Sequence, residues 1–237
     1  MTGQKKITWI TGASSGIGKA IATEFVKNGV HVIGTARRVD LLKELQKELN
    51  GSSGTFEYYE LDVTKVDSVD KFYKHISQNY FVECLINNAG ITSFKQAVEN
   101  SFEEIRDIIE VNLLGSIYVT QKVLPQMIEN KSGAIINILS AVTQKVFTAS
   151  SAYSASKNGL HAYAKVLREE LRDKNVRVIN ISPGATVTEI WPTKVISKHS
   201  DKMMKTEDIA KVVYQVYSGN SNLVAEEIVL RPVTGDL

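Results

Sequence analysis

The chain has 237 residues, 43% of them hydrophobic and 23% charged, and its 28 basic and 26 acidic side chains leave a formal net charge of +2. These are ordinary values for one large α/β domain, long enough to bury a core without disulfides or metals. The charges are mixed along the chain, which gives no reason to expect a nucleic acid or an anionic membrane as partner, and no apolar run approaches the ~18 residues of a membrane helix.

The N-terminal segment carries Lys5 and Lys6, a short apolar run and then a glycine-rich loop, so it reads as a first strand and not as a secretory signal. Without such a signal, the glycosylation-type triplets at Asn50, Asn130 and Asn180 are chance matches. The single Cys84 cannot form an internal disulfide, lies in an apolar strand and fits a reducing, cytoplasmic location.

In chain order, a strand over residues 7–11 leads into a helix over 17–28 that Gly29 stops. A strand over 30–35 and a charged helix over 40–49 follow, ended by Asn50-Gly51. Next come a strand over 56–61, a helix over 66–79, a strand over 81–87 and a long helical pattern over 102–129, which Pro125 is expected to kink or shorten. A strand over 134–139, a long helix over 151–173, a strand over 176–181, a helix over 206–217 and a short strand over 227–230 complete the chain. This alternation predicts a single Rossmann-like, doubly wound α/β domain over 1–237. Its seven-stranded, mostly parallel sheet has helices on both faces. Ligands of such sheets bind beyond the carboxyl ends of the strands, so the residues that follow each strand are the candidates for chemistry.

After the first strand stands Thr11-Gly12-Ala13-Ser14-Ser15-Gly16-Ile17-Gly18. Gly12 permits a sharp turn, Gly16 the approach of a pyrophosphate, and Gly18 close packing of the helix whose N-terminus faces the phosphates. A kinase-type phosphate loop is excluded, because Lys19 is followed by Ala20 and no hydroxyl is available for magnesium. The second strand ends in Ala36-Arg37-Arg38, where an NAD site would place an acid. Two guanidinium groups there select a 2′-phosphate, hence NADP(H), with Arg37 as the main contact, Ser14 assisting and Arg38 over the adenine.

Tyr153 and Lys157 are four residues apart on a helix and share one face. A free phenol titrates near ~10, and bringing it to ~7 requires about 4 kcal/mol, which a neighbouring cation and a positive nicotinamide ring can share. Ser140 closes the fifth strand, suited either to bind a substrate oxygen or to cap a turn. Asn112 interrupts an apolar helix, suited to bind backbone or hold water. Asn88-Ala89-Gly90 closes the fourth strand with small residues.

Taken together, the Thr11-Gly12 to Gly18 loop, Asn88-Ala89-Gly90, Asn112, Ser140, Tyr153-x3-Lys157 and Pro183-Gly184 resemble the short-chain dehydrogenase/reductase family. They stand in the family's order, with its thirteen-residue offset from Ser140 to Tyr153, and the resemblance spans essentially the whole chain. It implies strand order 3-2-1-4-5-6-7 and no metal. Tyr153 would be the acid/base. Lys157 would lower its pKa and hold the nicotinamide ribose, Ser140 would orient the substrate oxygen, and Asn112 would hold a relay water. The implied cofactor set comprises Gly12, Ser14, Ser15, Gly16, Ile17, Gly18, Arg37 and Arg38. Asp62 would join it at the adenine, with Val63 beside it. Asn88, Ala89, Gly90 and Val111 would lie along the ribose, and Pro183, Gly184, Thr186 and Thr188 at the nicotinamide, besides Tyr153 and Lys157. Thr186 departs from the usual Ile or Val.

Ala36-Arg37-Arg38 and the closing Leu230-Arg231-Pro232-Val233-Thr234 further resemble the NADP-dependent 3-hydroxy acid (serine-type) branch, which oxidises small β-hydroxy acids. The activity implied is hydride transfer between nicotinamide and a carbonyl or a secondary or β-hydroxy alcohol, in a homodimer or homotetramer paired through the helices that carry Asn112 and Tyr153. Residues of about 185–205 read as a substrate lid. Its Trp191 is suited to cover an apolar substrate or to anchor the lid, and Lys194 or Lys198 to attract a carboxylate or face water. The alternative is a catalytically silent NADP-binding regulator or scaffold. Such proteins typically lose members of the Asn–Ser–Tyr–Lys set, and this chain keeps all four.

Overall fold

The strands are apolar on both faces because both faces are covered. Along β1 (Lys5–Thr11), Ile7 and Trp9 enter one core and Ile10 the other. In β5 (Gly133–Ile138), Ile135 joins the first core while Ala134, Ile136 and Ile138 join the second. In β6 (Val176–Pro183) the split is Val176 and Val178 against Ile179 and Ile181. The two-residue period of a strand sends successive side chains to opposite faces, so a strand buried on both sides reads as a continuous apolar run.

A computed structural model describes residues 3–219 and 223–235, and the extreme ends of the expected 1–237 unit lie outside them. With β2 (His31–Ala36), β3 (Thr55–Glu60), β4 (Tyr80–Asn87) and β7 (Glu227–Leu230), the strands form one sheet in the order β3-β2-β1-β4-β5-β6-β7. Every neighbouring pair is parallel, so the described sheet is wholly and not just mostly parallel. On one face, α1 (Gly16–Lys27), α2 (Val39–Glu48) and α8 (Thr206–Ser218) supply Phe25, Leu45 and Val213 to the core. On the other, α3 (Val66–Ile76), α5 (Ser116–Glu129) and α6 (Ser151–Leu171) supply Phe72, Val123 and Leu167.

The expected long helix is interrupted, and not at Pro125. It begins as α4 (Phe102–Ile109), nucleated by a reciprocal cap between Ser101 and Glu104. It widens to a π-helical turn over Glu110–Gly115, then continues as α5 straight through Pro125 to Glu129. The wide turn follows from two local facts. Gly115 presses on Val63, where an added Cβ would meet Val63 Cγ2 at 2.6 Å, and Asn112 is fully buried with its amide turned to backbone. Single π turns inside helices are characteristic of functional sites.

One polar side chain per strand then fixes the register of the second half-sheet. Asn87, Asn137, Asn180 and Glu227 are direct neighbours across β4, β5, β6 and β7. Their side chains form a ladder: Asn87 donates to Asn137 (3.0 Å), Asn137 to Asn180 (3.0 Å) and Asn180 to Glu227 (2.9 Å). The buried Arg168 also donates to Glu227, at 2.9 Å. A one-residue slip of any of these strands would strand buried amides without partners, at about 1–3 kcal/mol each. The ladder therefore holds the strand ends that carry Asn88, Ser140 and Pro183 at one level.

Candidate active site

At β1 the chain order reverses, with β2 on one side and β4 on the other, which opens a crevice at the carboxyl ends of these strands. A cavity of about 780 Å³ fills it.

Its floor at one end is the glycine loop. Gly12 has φ +66°, a left-handed conformation, and a Cβ there would lie 2.8 Å from Ala89 Cα. Gly18 faces Gly12 so closely that a Cβ would sit 2.3 Å from the Gly12 carbonyl oxygen and 2.4 Å from Asn88 Nδ2. The Asn88 amide donates to the carbonyls of Thr11 and Gly12, both at 3.0 Å, while the Thr11 hydroxyl accepts from the backbone N–H of Asn88 and of Ala89. Asn88 thus clamps the loop to β4 with its side chain. Helix α1 starts at Gly16 with no side-chain cap and no acid in its first turn, so its leading N–H groups remain available to an anion. A cradle that any Cβ would fill, ending on an uncapped helix N-terminus, fits a dinucleotide pyrophosphate.

The two arginines that follow β2 take different partners within the chain. Arg38, not Arg37, reaches the loop: its guanidinium donates to the hydroxyls of Ser14 and Ser15 and is paired with Glu189 at 2.9 Å. Arg37 lies near Asp62. Both remain exposed and both line the cavity. Asp62 Oδ1 accepts from the backbone N–H and hydroxyl of its own Thr64, at 3.0 and 2.8 Å. Burial opposes its charge, but those bonds together with Arg37 and Lys65 hold the carboxyl below its ordinary value.

At the other end, α6 presents Tyr153 and Lys157 toward the end of β5. The Tyr153 hydroxyl lies beside that of Ser140, whose Oγ accepts from the Val142 N–H at 3.4 Å and so caps the short turn after β5. Lys157 is buried and donates to the Ile138 carbonyl at 2.8 Å; its ammonium lies 5.9 Å from the centre of the Tyr153 ring. Lys157 is therefore anchored to β5 and not bonded to the phenol. Burial brings the Lys157 pKa down to about 8. Burial also pushes the Tyr153 phenol up, with the neighbouring Ser140 hydroxyl opposing it in part. The lowering of the phenol's pKa expected from Lys157 is not found in the chain by itself.

Asn112 spends its side chain on backbone: Oδ1 accepts from the Ile91 N–H at 2.8 Å, and Nδ2 donates to the Ile91 carbonyl and to Ser156 Oγ. Ser156 in turn donates to the Tyr153 carbonyl at 2.7 Å. Through this chain the π turn holds both the loop after β4 and the first turn of α6. Gly90 completes the convergence, since a Cβ on it would be 3.4 Å from Asn112 Oδ1 and 3.5 Å from Lys157 Nζ.

A model of the short chain dehydrogenase family matches residues 6–198. The chain belongs to that family. Among its curated relatives is a sepiapterin reductase of Chlorobaculum tepidum, 34% identical with 98% of each chain covered. A farnesol dehydrogenase of Aedes aegypti is 32% identical with 96% of each covered. Among solved structures, the closed form of a serine dehydrogenase complexed with NADP+ superimposes with a TM-score of 0.90. It is 28% identical, and 98% of this chain and 96% of that one are covered.

For a short-chain dehydrogenase the cavity wall holds every expected residue except Gly18 and Asn112, which lie behind it as spacer and clamp. Sequence reasoning missed Ser156, Glu189 and Phe94, and quoted Thr11 with the loop without giving it a role. Ser156, fully buried beside Lys157, carried the only available signal: a small hydroxyl on the inward face of a helix. The segment 185–205 is pinched at its neck, where Val187 N–H donates to the Met204 carbonyl (3.0 Å) and Met204 N–H to that of Ala185 (2.9 Å). Between these points Glu189 reaches Arg38, and Trp191 stacks on Phe94 with ring centres 4.7 Å apart and 17° between planes. Thr186 turns its hydroxyl onto the Gly184 carbonyl at 3.0 Å. Lys194 and Lys198 are exposed and outside the cavity wall.

Proposed function

We propose that this chain is an NADP(H)-dependent oxidoreductase acting on a carbonyl, or on a secondary or β-hydroxy alcohol in the reverse direction, with Tyr153 as its acid/base. The observation that carries this reading is the placing of Tyr153, Ser140 and the buried Lys157, one helical turn from Tyr153, in the same cavity as the glycine loop. When bound, the nicotinamide supplies or accepts the hydride.

Everything else falls to the chain. Ser140 orients the substrate oxygen toward the Tyr153 hydroxyl. Tyr153 gives its proton to that oxygen as the carbonyl is reduced, a task for which a phenol kept protonated by burial is already in the right state. Lys157, fixed by the Ile138 carbonyl, supplies positive charge near the phenolate that remains. Asn112 keeps the loop after β4 and the start of α6 at fixed separation and holds a relay water toward Lys157. Gly12, Ser15, Gly16 and Ile17 cradle the pyrophosphate, with Gly18 as spacer. Val63, Asp62 and Val111 flank the adenosine. Asn88, Ala89 and Gly90 lie along the ribose, and Pro183, Gly184, Thr186 and Thr188 at the nicotinamide. Residues of about 185–205 serve as the lid over one domain. Two or four copies pair through α4, α5 and α6, covering Phe102 and Val166, which stand 83% and 60% exposed.

Arg38 with Ser14 and Ser15, at a strand end that lacks an acid, supports NADP(H) over NAD(H), and the NADP+ complex of the similar serine dehydrogenase is consistent with it. Titration with both cofactors tests this. NADPH binds more tightly than NADH, and Arg38→Ala weakens NADPH alone by roughly 10-fold or more, the loss of a charge-assisted bond. Tighter binding of NADH by the unaltered protein would overturn the assignment.

A further inference from the structure

The cavity wall carries four of its five charged side chains at one end. Its ionisable carboxylates and cations are Arg37, Arg38, Asp62, Glu189 and Lys157. The first four gather around the ends of β2 and β3 and the strap that meets Arg38, and Lys157 is engaged by the Ile138 carbonyl. The remainder, which includes Phe94, Val142, Phe147, Ile190 and Trp191, is uncharged, its polar groups including the hydroxyls of Thr92, Thr148 and Ser150. Lys145 lies over the Phe147 ring, 5.7 Å from its centre, and is not part of the wall.

Two of these residues come from segments far apart in the chain and meet face to face. Phe94 follows β4 and Trp191 lies on the strap, yet their rings stack nearly parallel, while Phe94 keeps 43% of its surface exposed. A stacked pair with an open ring beside an uncharged wall offers a flat, apolar group a surface to slide against. It offers a carboxylate little: bringing that charge against these rings costs its hydration, and the nearest cation in the wall, Lys157, is held by the Ile138 carbonyl.

We propose that the substrate is an uncharged ketone, or the matching secondary alcohol, that carries a flat apolar group, and that Phe94 and Trp191 select it by packing against that group while a free carboxylate is rejected. This rests on the oxidoreductase reading above and narrows it away from small β-hydroxy acids. The reacting oxygen lies at Ser140 and Tyr153, and the flat group points from it toward the strap.

Three methyl ketones with the same reacting carbonyl test it: benzylacetone, butanone and acetoacetate, each followed by NADPH consumption and by quenching of tryptophan emission. Trp191→Phe sets the background from Trp9. Benzylacetone is expected to exceed acetoacetate in kcat/KM by at least about 10-fold, the scale of burying one ring. It also quenches Trp191 emission, which acetoacetate leaves unchanged. Trp191→Ala then lowers the benzylacetone-to-butanone ratio by roughly 10-fold through KM. If Trp191 only fastens the strap, all three substrates fall together and the ratio stays fixed, which overturns the proposal. Preference for acetoacetate overturns it while leaving the redox reading intact. Quenching by benzylacetone without NADPH consumption supports the substrate class and sinks the redox reading. Absence of both sinks the proposal.

Discussion

The two ends of the cavity are built on opposite terms. Around Gly12 and Gly18 the wall is backbone, and contacts are so close that a single Cβ collides with a carbonyl oxygen at 2.3 Å. Around Phe94 and Trp191 the wall is side chain, borne on loops, with one ring 43% exposed and the strap held by a surface ion pair and a ring stack. A wall of backbone can fit one constant ligand and tolerates no change. A wall of side chains on a strap can be rebuilt for another substrate without disturbing the sheet.

The sharpest way to break this comparison is to add one methyl group at the rigid end. Gly18→Ala drives a Cβ into the Gly12 carbonyl and the Asn88 amide. Neither atom is the free end of a flexible side chain, so strain of roughly 1–3 kcal/mol or more has no outlet except displacing the loop. NADPH affinity is expected to fall by about 100-fold or more and the thermal midpoint to drop, since loop and β4 share that clamp. Equilibrium titration and calorimetry check both. A Gly18→Ala protein with unaltered affinity would show the cofactor end to be as tolerant as the strap.

Lys157 stands where the two ends meet, and its effect on stability is smaller and of a definite sign. Burial lowers its pKa to about 8 in the folded chain from 10.5. Between those values the unfolded chain binds the extra proton, so stability rises with pH across that window, by about 3 kcal/mol at most. Below about 8 both states carry the charge and the cost of burying it is present in full. Lys157→Met removes that cost, so its unfolding free energy is flat where the unaltered protein's rises. Denaturant unfolding between pH 7.5 and 10.5, a window set by the same two values, distinguishes them. A parallel rise in both proteins would mean the ammonium is hydrated in the fold.

What the sequence makes legible follows the same division. Continuous apolar runs declare strands covered on both faces, and glycines at 12, 16 and 18 declare a backbone cradle, because both signals are local. The sheet order entered through the family resemblance and stands as expected, while the four-residue spacing alone put Tyr153 and Lys157 on one helix, where α6 carries them. The π turn at Glu110–Gly115 was invisible because widening a helix by one residue leaves its apolar period nearly unchanged, while Pro125 offered a louder and misleading signal. The Asn87–Asn137–Asn180–Glu227 ladder shows only as scattered polar residues within four runs until strand order brings them level. Arg38 and Arg37 differ by one position past a strand end, where the turn decides which guanidinium faces the loop. The Phe94–Trp191 stack joins loops with no sequence relation at all.

The claim on which the whole account turns is that the Tyr153 hydroxyl moves the proton and does little for cofactor binding. Tyr153→Phe, assayed for turnover and for NADPH affinity in parallel, tests it with a change of one oxygen atom. The account predicts a fall in kcat of about 10²–10⁴-fold, the usual contribution of a positioned acid, with NADPH affinity kept within a few fold. Turnover at the rate of the unaltered protein would contradict it.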